Sequence, residues 1–264
     1  MKFGIIGCGK MGYAIISKIS QNLFKKNDIF VFDVNNRLIA ELLGEGFNAV
    51  DDYNKLFEVC DVVLFAVKPQ EIKTVLDSIK STYSCKLILS IMAGVTIETL
   101  SSINPEIAIA RIMPNTCAVI GESASSICYN DKVTDQLKKV TRDIFSSVGT
   151  FVEIDESLMD DVIPIGGSFT AYAYSFMRAF INSSVSRGID RKTATDLVIQ
   201  SMIGSAKMVE TYGDMDTLIA NVCSKGGTTL AGLEKLENAE FDRIIDDCAK
   251  ACANRSKELG KLNY

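Results

Sequence analysis

The chain has 264 residues, of which 47% are apolar and 23% are charged, a composition typical of a globular protein. Its net charge of −5, from 28 basic and 33 acidic residues, argues against nucleic-acid binding, because phosphate contacts need clustered lysine and arginine. The absence of histidine excludes serine–histidine and cysteine–histidine catalysis and histidine metal ligands.

The sequence carries no pattern typical of a disulfide framework, a signal peptide or a membrane-spanning helix. The eight cysteines are scattered without a C-x-x-C pair, so neither a disulfide framework nor a metal site is predicted. The opening residues MKFGIIGCGKMG are not typical of a signal peptide, because their apolar stretch is short and broken by glycines. No apolar run reaches the ~18 residues that span a bilayer. We therefore expect a cytoplasmic protein with no membrane or nucleic-acid partner.

The first half alternates apolar runs with amphipathic stretches such as Met11–Phe24 and Arg37–Leu43. The runs predict strands at Phe3–Gly7, Ile29–Asp33, Val62–Val67, Leu87–Ile91 and Ile107–Ile112. Their nearly continuous apolar character is typical of strands buried on both faces, as in a parallel sheet. The alternation predicts an α/β fold with a Rossmann-type, doubly wound, mostly parallel sheet.

The pattern changes after a last β-like segment at Thr150–Ile154. Beyond it, helical periodicity predicts Tyr172–Ser186, Arg191–Thr211, Asp216–Val222, Thr228–Leu236 and Phe241–Leu259. We expect an α/β domain at residues 1–152 followed by an all-α domain at residues 153–264.

Residues 7–12 form a G-x-G-x-x-G motif between the first predicted strand and the first helix. Gly7 permits a tight turn, Gly9 lets the backbone approach a pyrophosphate, and Gly12 lets the helix pack closely on the strand. The start of that helix offers unpaired N–H groups to the phosphates. The strand–turn–helix context makes a dinucleotide site the favoured interpretation over a ligand-free glycine turn.

Asp33 ends the second predicted strand, where such sites place a ribose-binding acid. A carboxylate there accepts from a free 2′-hydroxyl and repels a 2′-phosphate. Two alternatives remain open: Asp33 caps the helix beginning near Asn35, or Arg37 holds a phosphate. We expect NADPH or NADH as cofactor, with Asp33 favouring NADH.

Several motifs extend over the whole chain. They are IGCGKMG at 6–12, AVKP at 66–69, SIMAG at 90–94, RIMPNT at 111–116, GSAKM at 204–208 and SKGGTT at 224–229. Together they resemble the pyrroline-5-carboxylate reductase family, from about Phe3 to Leu259. The resemblance implies an NAD(P)H-dependent oxidoreductase that reduces 1-pyrroline-5-carboxylate to L-proline in proline biosynthesis. It also implies a homodimer or a larger assembly of dimers, with residues 153–264 as the substrate and dimerisation domain.

The resemblance also implies site residues. It implies that the cofactor's pyrophosphate is bound by Ile6, Gly7, Cys8, Gly9, Lys10, Met11 and Gly12. The ribose and adenine of the cofactor are expected to lie along Asn54, Ala66, Val67, Lys68 and Pro69. Ala93 and Asn115 are expected near the nicotinamide. The cyclic imine carboxylate falls on Ser224, Gly226, Gly227, Thr228 and Thr229, with Thr229 and Ser224 as the catalytic candidates.

The residues at 224–229 support this interpretation on their own terms. Successive backbone N–H groups that open a helix are typical of an anion site, which suits a carboxylate. The hydroxyl of Thr229 can then donate to or accept from a ring nitrogen. A protonated imine needs no further acid, so anchoring and orientation suffice in a chain without histidine. The alternative is a plain turn followed by a threonine cap.

Four positions depart from the family pattern. Phe169 and Thr170 stand where the family has a small, rigid Gly-Pro, so a phenyl ring is expected to narrow or fill the substrate pocket. Cys117 and Lys225 each replace a proline. These changes suggest a divergent member.

Two other functions remain open. A β-hydroxyacid dehydrogenase needs an asparagine four residues after a helical lysine, but Lys207 is followed there by Thr211. A paralogue without catalysis would keep residues 7–12 and bind nucleotide without turnover.

Overall fold

A computed structural model describes residues 1–82 and 84–262 of the chain. The chain forms two compact units. Unit 1 comprises the described residues of 1–170 and 250–262, and unit 2 comprises residues 171–249.

Unit 1 is built on one eight-stranded sheet. Its strands are β1 (Phe3–Ile6), β2 (Ile29–Phe32), β3 (Asn48–Ala49), β4 (Val62–Phe65), β5 (Leu87–Ser90), β6 (Ala108–Met113), β7 (Ser123–Tyr129) and β8 (Gly149–Glu153). The spatial order is β3-β2-β1-β4-β5-β6-β7-β8, and all pairs are parallel except β6 with β7. The strand order reverses beside β1, which is the switch point of a doubly wound fold. The predicted fold class is confirmed.

The helices of unit 1 connect these strands. They are α1 (Lys10–Asn22), α2 (Asn36–Gly44), α3 (Tyr53–Val59), α4 (Ile72–Ser78), α5 (Ile97–Ser101) and α6 (Asp135–Ser146). Side chains alternate between the two faces of the sheet, so Phe3 and Ile5 join one apolar cluster while Ile6 joins the other. A parallel sheet covered on both faces explains why its strands carry continuous apolar runs.

Two strands were absent from the sequence prediction. β3 has only two residues. β7 has the sequence SASSICY, in which serines take the place of an apolar run. Ser123, Ser125 and Ser126 are nevertheless buried. Their hydroxyls find partners locally, as in the contact between Ser123 and Ser125 at 3.3 Å. Burial of small polar residues depends on such partners, which periodicity does not reveal.

Five α-helices follow β8 in the described part of the chain. They are α7 (Phe169–Val185), α8 (Arg191–Tyr212), α9 (Met215–Val222), α10 (Thr228–Asn238) and α11 (Phe241–Leu262). Aspartate side chains cap two of them: Asp190 accepts from the N–H of Thr193 at 3.0 Å, and Asp214 accepts from Asp216 at 3.1 Å. Both caps satisfy donors that a helix start leaves open.

The compact units divide the chain differently from the predicted boundary at residues 152 and 153. The strands do end with β8, but residues 153–170 stay in unit 1, and the chain returns to unit 1 from residue 250 onward. Met159 and Ile163 explain the first difference, because they are buried in the apolar cluster of the sheet. A change of secondary structure therefore does not mark the change of packing.

Among the described residues, no helix is long and apolar enough to cross a membrane.

Candidate functional site

The turn after β1 lies at the switch point of the sheet. Gly7 has a φ of +93°, which favours glycine, and a Cβ there would lie 2.8 Å from the carbonyl of Ala66. Its N–H donates to the carbonyl of Phe32 at 2.8 Å. The turn therefore packs between the ends of β2 and β4, where open α/β sheets bind their ligands.

Gly9 and Gly12 differ in what surrounds them. A Cβ at Gly9 would meet nothing within 4 Å, so the protein itself leaves room in front of this backbone. A Cβ at Gly12 would overlap the carbonyl oxygen of Gly7 and lie 3.0 Å from Ile5 Cδ1. Gly12 thus permits the close approach of α1 to β1, and Gly9 leaves space for a ligand.

The start of α1 is suited to an anion. Gly9 is its N-cap and supplies no side-chain hydrogen bond to the first turn. The first N–H groups of a helix lack intrahelical partners and carry the positive end of its dipole. An open backbone cradle at this helix start fits the pyrophosphate of a dinucleotide.

Asp33 links the turn after β1 to the end of β2. Its Oδ2 accepts from the N–H of Cys8 at 2.7 Å, and its Oδ1 accepts from the N–H of Asn35 at 2.8 Å. The alternative that Asp33 caps α2 is wrong, because the N-cap is Asn35, whose side chain accepts from the N–H groups of Arg37 and Leu38. Asp33 is half-buried, with its carboxylate held beside the glycine turn.

The surroundings of Asp33 are rich in negative charge. A cavity of about 890 Å³ is lined by Asp33, Asp51 and Lys55 among others. Lys55 pairs with Glu58 at 3.0 Å, and Arg37 pairs with Glu41 at 3.1 Å while remaining exposed. Each nearby cation thus already has a carboxylate on its own helix.

The other residues expected along the ribose and adenine side occupy two places. Ala66, Val67, Lys68 and Pro69 directly follow β4, and Val67 Cγ1 would lie 2.9 Å from a Cβ at Gly7. The amide of Asn54 instead joins elements of the protein. It donates to the carbonyl of Ser78 at 3.0 Å and accepts from the N–H of Lys80 at 2.7 Å. Asn54 therefore fixes the start of α3 to the end of α4.

The two residues expected near the nicotinamide follow β5 and β6. Ala93 is partly exposed in the loop after β5. Asn115 is buried, and its amide donates to the carbonyl of Gly166 at 3.1 Å and accepts from the N–H of Cys117 at 3.1 Å. The side chain of Asn115 is thus committed to shaping the backbone after β6.

The segment that contains Phe169 and Thr170 lies against the backbone that follows β6. Thr170 Oγ1 is 3.5 Å from Thr116 Oγ1, and a Cβ at Gly167 would lie 3.3 Å from Met113 Sδ. Phe169 is the first residue of α7, and about half of its surface is exposed. The Asn115–Gly166 bond and these contacts place Phe169 beside the chain that follows β6.

Within unit 2, the segment Ser224–Thr229 forms a turn that opens α10. Gly226 has a φ of +72°, and the N–H of Gly227 donates to the carbonyl of Ser224 at 2.9 Å. Gly227 is the N-cap of α10 and supplies no side-chain hydrogen bond. Ser224, Lys225, Thr228 and Thr229 are exposed. The alternative of a threonine N-cap is wrong, since the capping position is glycine.

Lys207, the lysine that a β-hydroxyacid dehydrogenase would use, is exposed on α8. Its backbone carbonyl accepts from the hydroxyl of Thr211 at 2.8 Å.

Arg111 was missed as a functional candidate by the sequence analysis. It lies on β6 with 2% of its side chain exposed, between Glu156 and Asp160, each at 3.4 Å. Its Nε has no hydrogen-bond partner among the described residues. An arginine inside an otherwise apolar strand could have indicated this cluster, because a buried charge needs charged or hydrogen-bonding partners.

The glycine turn at the switch point of a doubly wound sheet, with an acid at the end of β2, defines a Rossmann-type dinucleotide-binding protein. Residues 2–94 match the family described as NADP oxidoreductase, coenzyme F420-dependent, and residues 156–259 match the family described as pyrroline-5-carboxylate reductase dimerisation. A pyrroline-5-carboxylate reductase of Methanosarcina acetivorans is 35% identical over 98% of both chains.

Solved structures agree with these matches. The pyrroline carboxylate reductase of Plasmodium falciparum, with NADP bound, has a TM-score of 0.90 and 33% identity, and 98% of each chain is covered. The 1-pyrroline-5-carboxylate reductase of Streptococcus pyogenes has a TM-score of 0.90 and 30% identity over 98% of each chain. The chain belongs to the pyrroline-5-carboxylate reductase family.

Proposed function

We propose that this chain reduces 1-pyrroline-5-carboxylate to L-proline with NADH or NADPH. The observation that carries the proposal is the glycine turn at the switch point, with Gly9 open to a ligand, in a chain that matches named reductases along its whole length. The reaction consumes one reduced nicotinamide and one proton for each imine reduced.

Unit 1 holds the cofactor. The backbone at Cys8–Gly12 and the start of α1 bind the pyrophosphate, and Asp33 accepts from the adenine-side ribose. Lys68, exposed after β4, lies at the cofactor edge. Ala93 supports the nicotinamide end, and Asn115 shapes the backbone beside it. When bound, the reduced nicotinamide supplies the hydride that adds to the C=N carbon.

Unit 2 holds the substrate. The carboxylate of the imine binds the open N–H groups at the start of α10, because Gly227 leaves them without a side-chain cap. The hydroxyl of Thr229 orients the ring nitrogen, and Ser224 closes the turn. The ring nitrogen of the protonated imine already carries the proton that the amine product keeps, so these residues need supply none. The residues therefore bind and orient without acting as a general acid.

The cofactor preferred by this chain is NADH. The carboxylate of Asp33 is fixed by two N–H donors, so it stays in place when the ribose arrives. A 2′-phosphate brings a charge of about −1.5 to −2 next to it. The cations that would offset that charge, Arg37 and Lys55, are paired with glutamates.

Unit 2 associates with the same unit of a second copy. Ala194 is the one buried residue among 171–249, all of which the structure describes. Large apolar side chains are exposed instead: Tyr174, Phe176, Phe180, Leu197, Ile199, Ile203, Met208, Met215, Ile219 and Val222. Exposed apolar surface of this extent marks an interface, and a closed dimer covers it symmetrically. Light scattering of the purified protein is expected to give twice the chain mass or a multiple of it.

The test of the function is a direct assay. Purified protein is mixed with L-1-pyrroline-5-carboxylate, and the absorbance of reduced nicotinamide is followed with NADH and NADPH in parallel. Oxidation that requires both imine and protein is expected, with kcat/KM for NADH higher by about tenfold, which corresponds to about 1.4 kcal/mol. Nucleotide binding without turnover would contradict the reductase and favour the paralogue without catalysis.

A further inference from the structure

The direction of the cofactor across the sheet follows from the strand order. The pyrophosphate lies at the turn after β1, and Asp33 places the adenine-side ribose beyond β2. The nicotinamide half must therefore extend the other way, over the ends of β4, β5 and β6. Strands are about 4.8 Å apart, so the loop after β5 lies about 10 Å from β1, within reach of the nicotinamide.

That loop is in backbone contact with α11. Gly94 has a φ of +75°, and a Cβ there would lie 3.0 Å from the nitrogen of Gly260 and 3.2 Å from the carbonyl oxygen of Ser256. A Cβ at Gly260 would in turn lie 2.9 Å from the carbonyl oxygen of Gly94. Two glycines face each other, so the backbones of α11 and the loop are in direct contact without a side chain between them.

The contacting part of α11 is anchored at two points. Ser256 is buried, and its hydroxyl donates to Asp160 at 2.7 Å. Lys257 pairs with Asp161 at 2.7 Å. Asp160 also accepts from Arg111 at 3.4 Å, so α11 is joined to β6 through one carboxylate.

The end of the same loop is held by the other carboxylate of this cluster. Glu156 accepts from Arg111 at 3.4 Å and from the N–H of Ile97, the first residue of α5, at 2.7 Å. At the beginning of the loop, Ser90 pairs in register with Arg111 across β5 and β6. Arg111 therefore connects to the loop at its start and its end, and Ala93 remains partly exposed between them.

We propose that Arg111, Ser256 and Gly260 are positioning residues, which hold the loop after β5 against the nicotinamide end of the cofactor. The proposal rests on the proposed function, because it takes the loop as the nicotinamide support. Buried ion clusters add little net stability compared with apolar packing, and in some proteins they instead fix the geometry of the elements that they join. Displacement of a reacting group by about 1 Å costs up to about 100-fold in rate.

The test uses Gly260→Ala with Gly44→Ala as its matched control. Both glycines are helical and in unit 1, so both variants gain helix propensity. The new methyl group meets the carbonyl of Gly94 in the first variant and open space in the second. Binding of NADH and of ADP-ribose, which lacks the nicotinamide, is measured by calorimetry, and kcat and KM are measured with the imine.

We expect Gly260→Ala to weaken NADH binding and to lower kcat, each by about tenfold, with ADP-ribose affinity unchanged. Gly44→Ala should match the wild type in every readout. Equal loss of NADH and ADP-ribose affinity, or wild-type behaviour of Gly260→Ala, would overturn the proposal. Ser256→Ala, which removes the bond to Asp160, should show the same selectivity with a smaller loss, and it replaces Gly260→Ala if that variant does not fold.

The binding measurements need no imine substrate. A wild-type protein that fails to reduce the imine would overturn the proposed function, while the contrast between NADH and ADP-ribose would still decide the role of the loop.

Discussion

Alanine at Gly12 adds a methyl group where α1 crosses the turn after β1, whereas the same group at Gly9 enters open space. The two variants therefore separate protein packing from ligand contact within one turn of sequence. Gly12→Ala should destabilise the protein before any cofactor is added. Gly9→Ala should leave the free protein intact and block the pyrophosphate.

The magnitudes follow from the contacts. At Gly12 the methyl group overlaps a backbone oxygen that no side-chain rotation can move, and such overpacking costs about 1–3 kcal/mol. Alanine regains about 1 kcal/mol of helix propensity, which leaves a loss of up to about 2 kcal/mol. At Gly9 the weaker N-cap and the reduced freedom of the unfolded chain nearly cancel, within about 0.5 kcal/mol. Each lost phosphate hydrogen bond weakens binding by about 1.5–3 kcal/mol, or about 10- to 100-fold.

Thermal unfolding without ligand and calorimetric titration with NADH measure both effects. Gly12→Ala is expected to lower Tm by about 2–4 °C for each kcal/mol lost, and Gly9→Ala to retain the wild-type Tm. The reasoning is refuted if Gly9→Ala binds NADH as the wild type does, or if it lowers the Tm of the free protein as much as Gly12→Ala.

Three further outcomes are expected. Asp33→Ser removes the charge that faces a 2′-phosphate and should raise the ratio of kcat/KM for NADPH to kcat/KM for NADH by about tenfold. An unchanged ratio would show that Asp33 does not determine the cofactor preference. Thr229→Val should lower kcat/KM for the imine by about tenfold through one lost hydrogen bond, and calorimetry should show the same NADH affinity, because Thr229 binds substrate only. Burial raises the pKa of the Cys60 thiol to about 12 from about 9, so its contribution to stability is complete below pH 9 and is lost as the pH rises through 12. Cys60→Ala should therefore lose less stability than the wild type between about pH 8 and 11 in urea unfolding, and parallel losses would contradict this assignment.

Local features of the sequence were sufficient to predict the strands that are apolar on both faces. Five predicted strand segments became β1, β2, β4, β5 and β6, because burial in a parallel sheet covered on both faces leaves a nearly continuous apolar run. The β-like segment Thr150–Ile154 became β8, which is an edge strand with no buried residue. The glycine turn was predictable for the same reason, since backbone geometry imposes its residue types at fixed spacing. β7 was not predictable, because its serines are buried with hydrogen-bond partners, such as the N–H of Asn115 for Ser123, that hydrophobic periodicity does not reveal.

Contacts between distant residues decided the rest. The sequence alone determined that a glycine turn and an acid would meet at the end of a parallel sheet, because both are set by strand endings. Only the tertiary structure decided that the Asp33 carboxylate accepts from the N–H of Cys8, 25 residues away, and that the amides of Asn54 and Asn115 donate to Ser78 and Gly166. The ion pairs of Arg111 were also decided only by the tertiary structure, because its partners lie 45 and 49 residues away. The packing of the second half of α11 in unit 1 was likewise not predictable from the sequence. Hydrogen bonds and ion pairs at such separations depend on how the elements pack, and no local pattern carries that information.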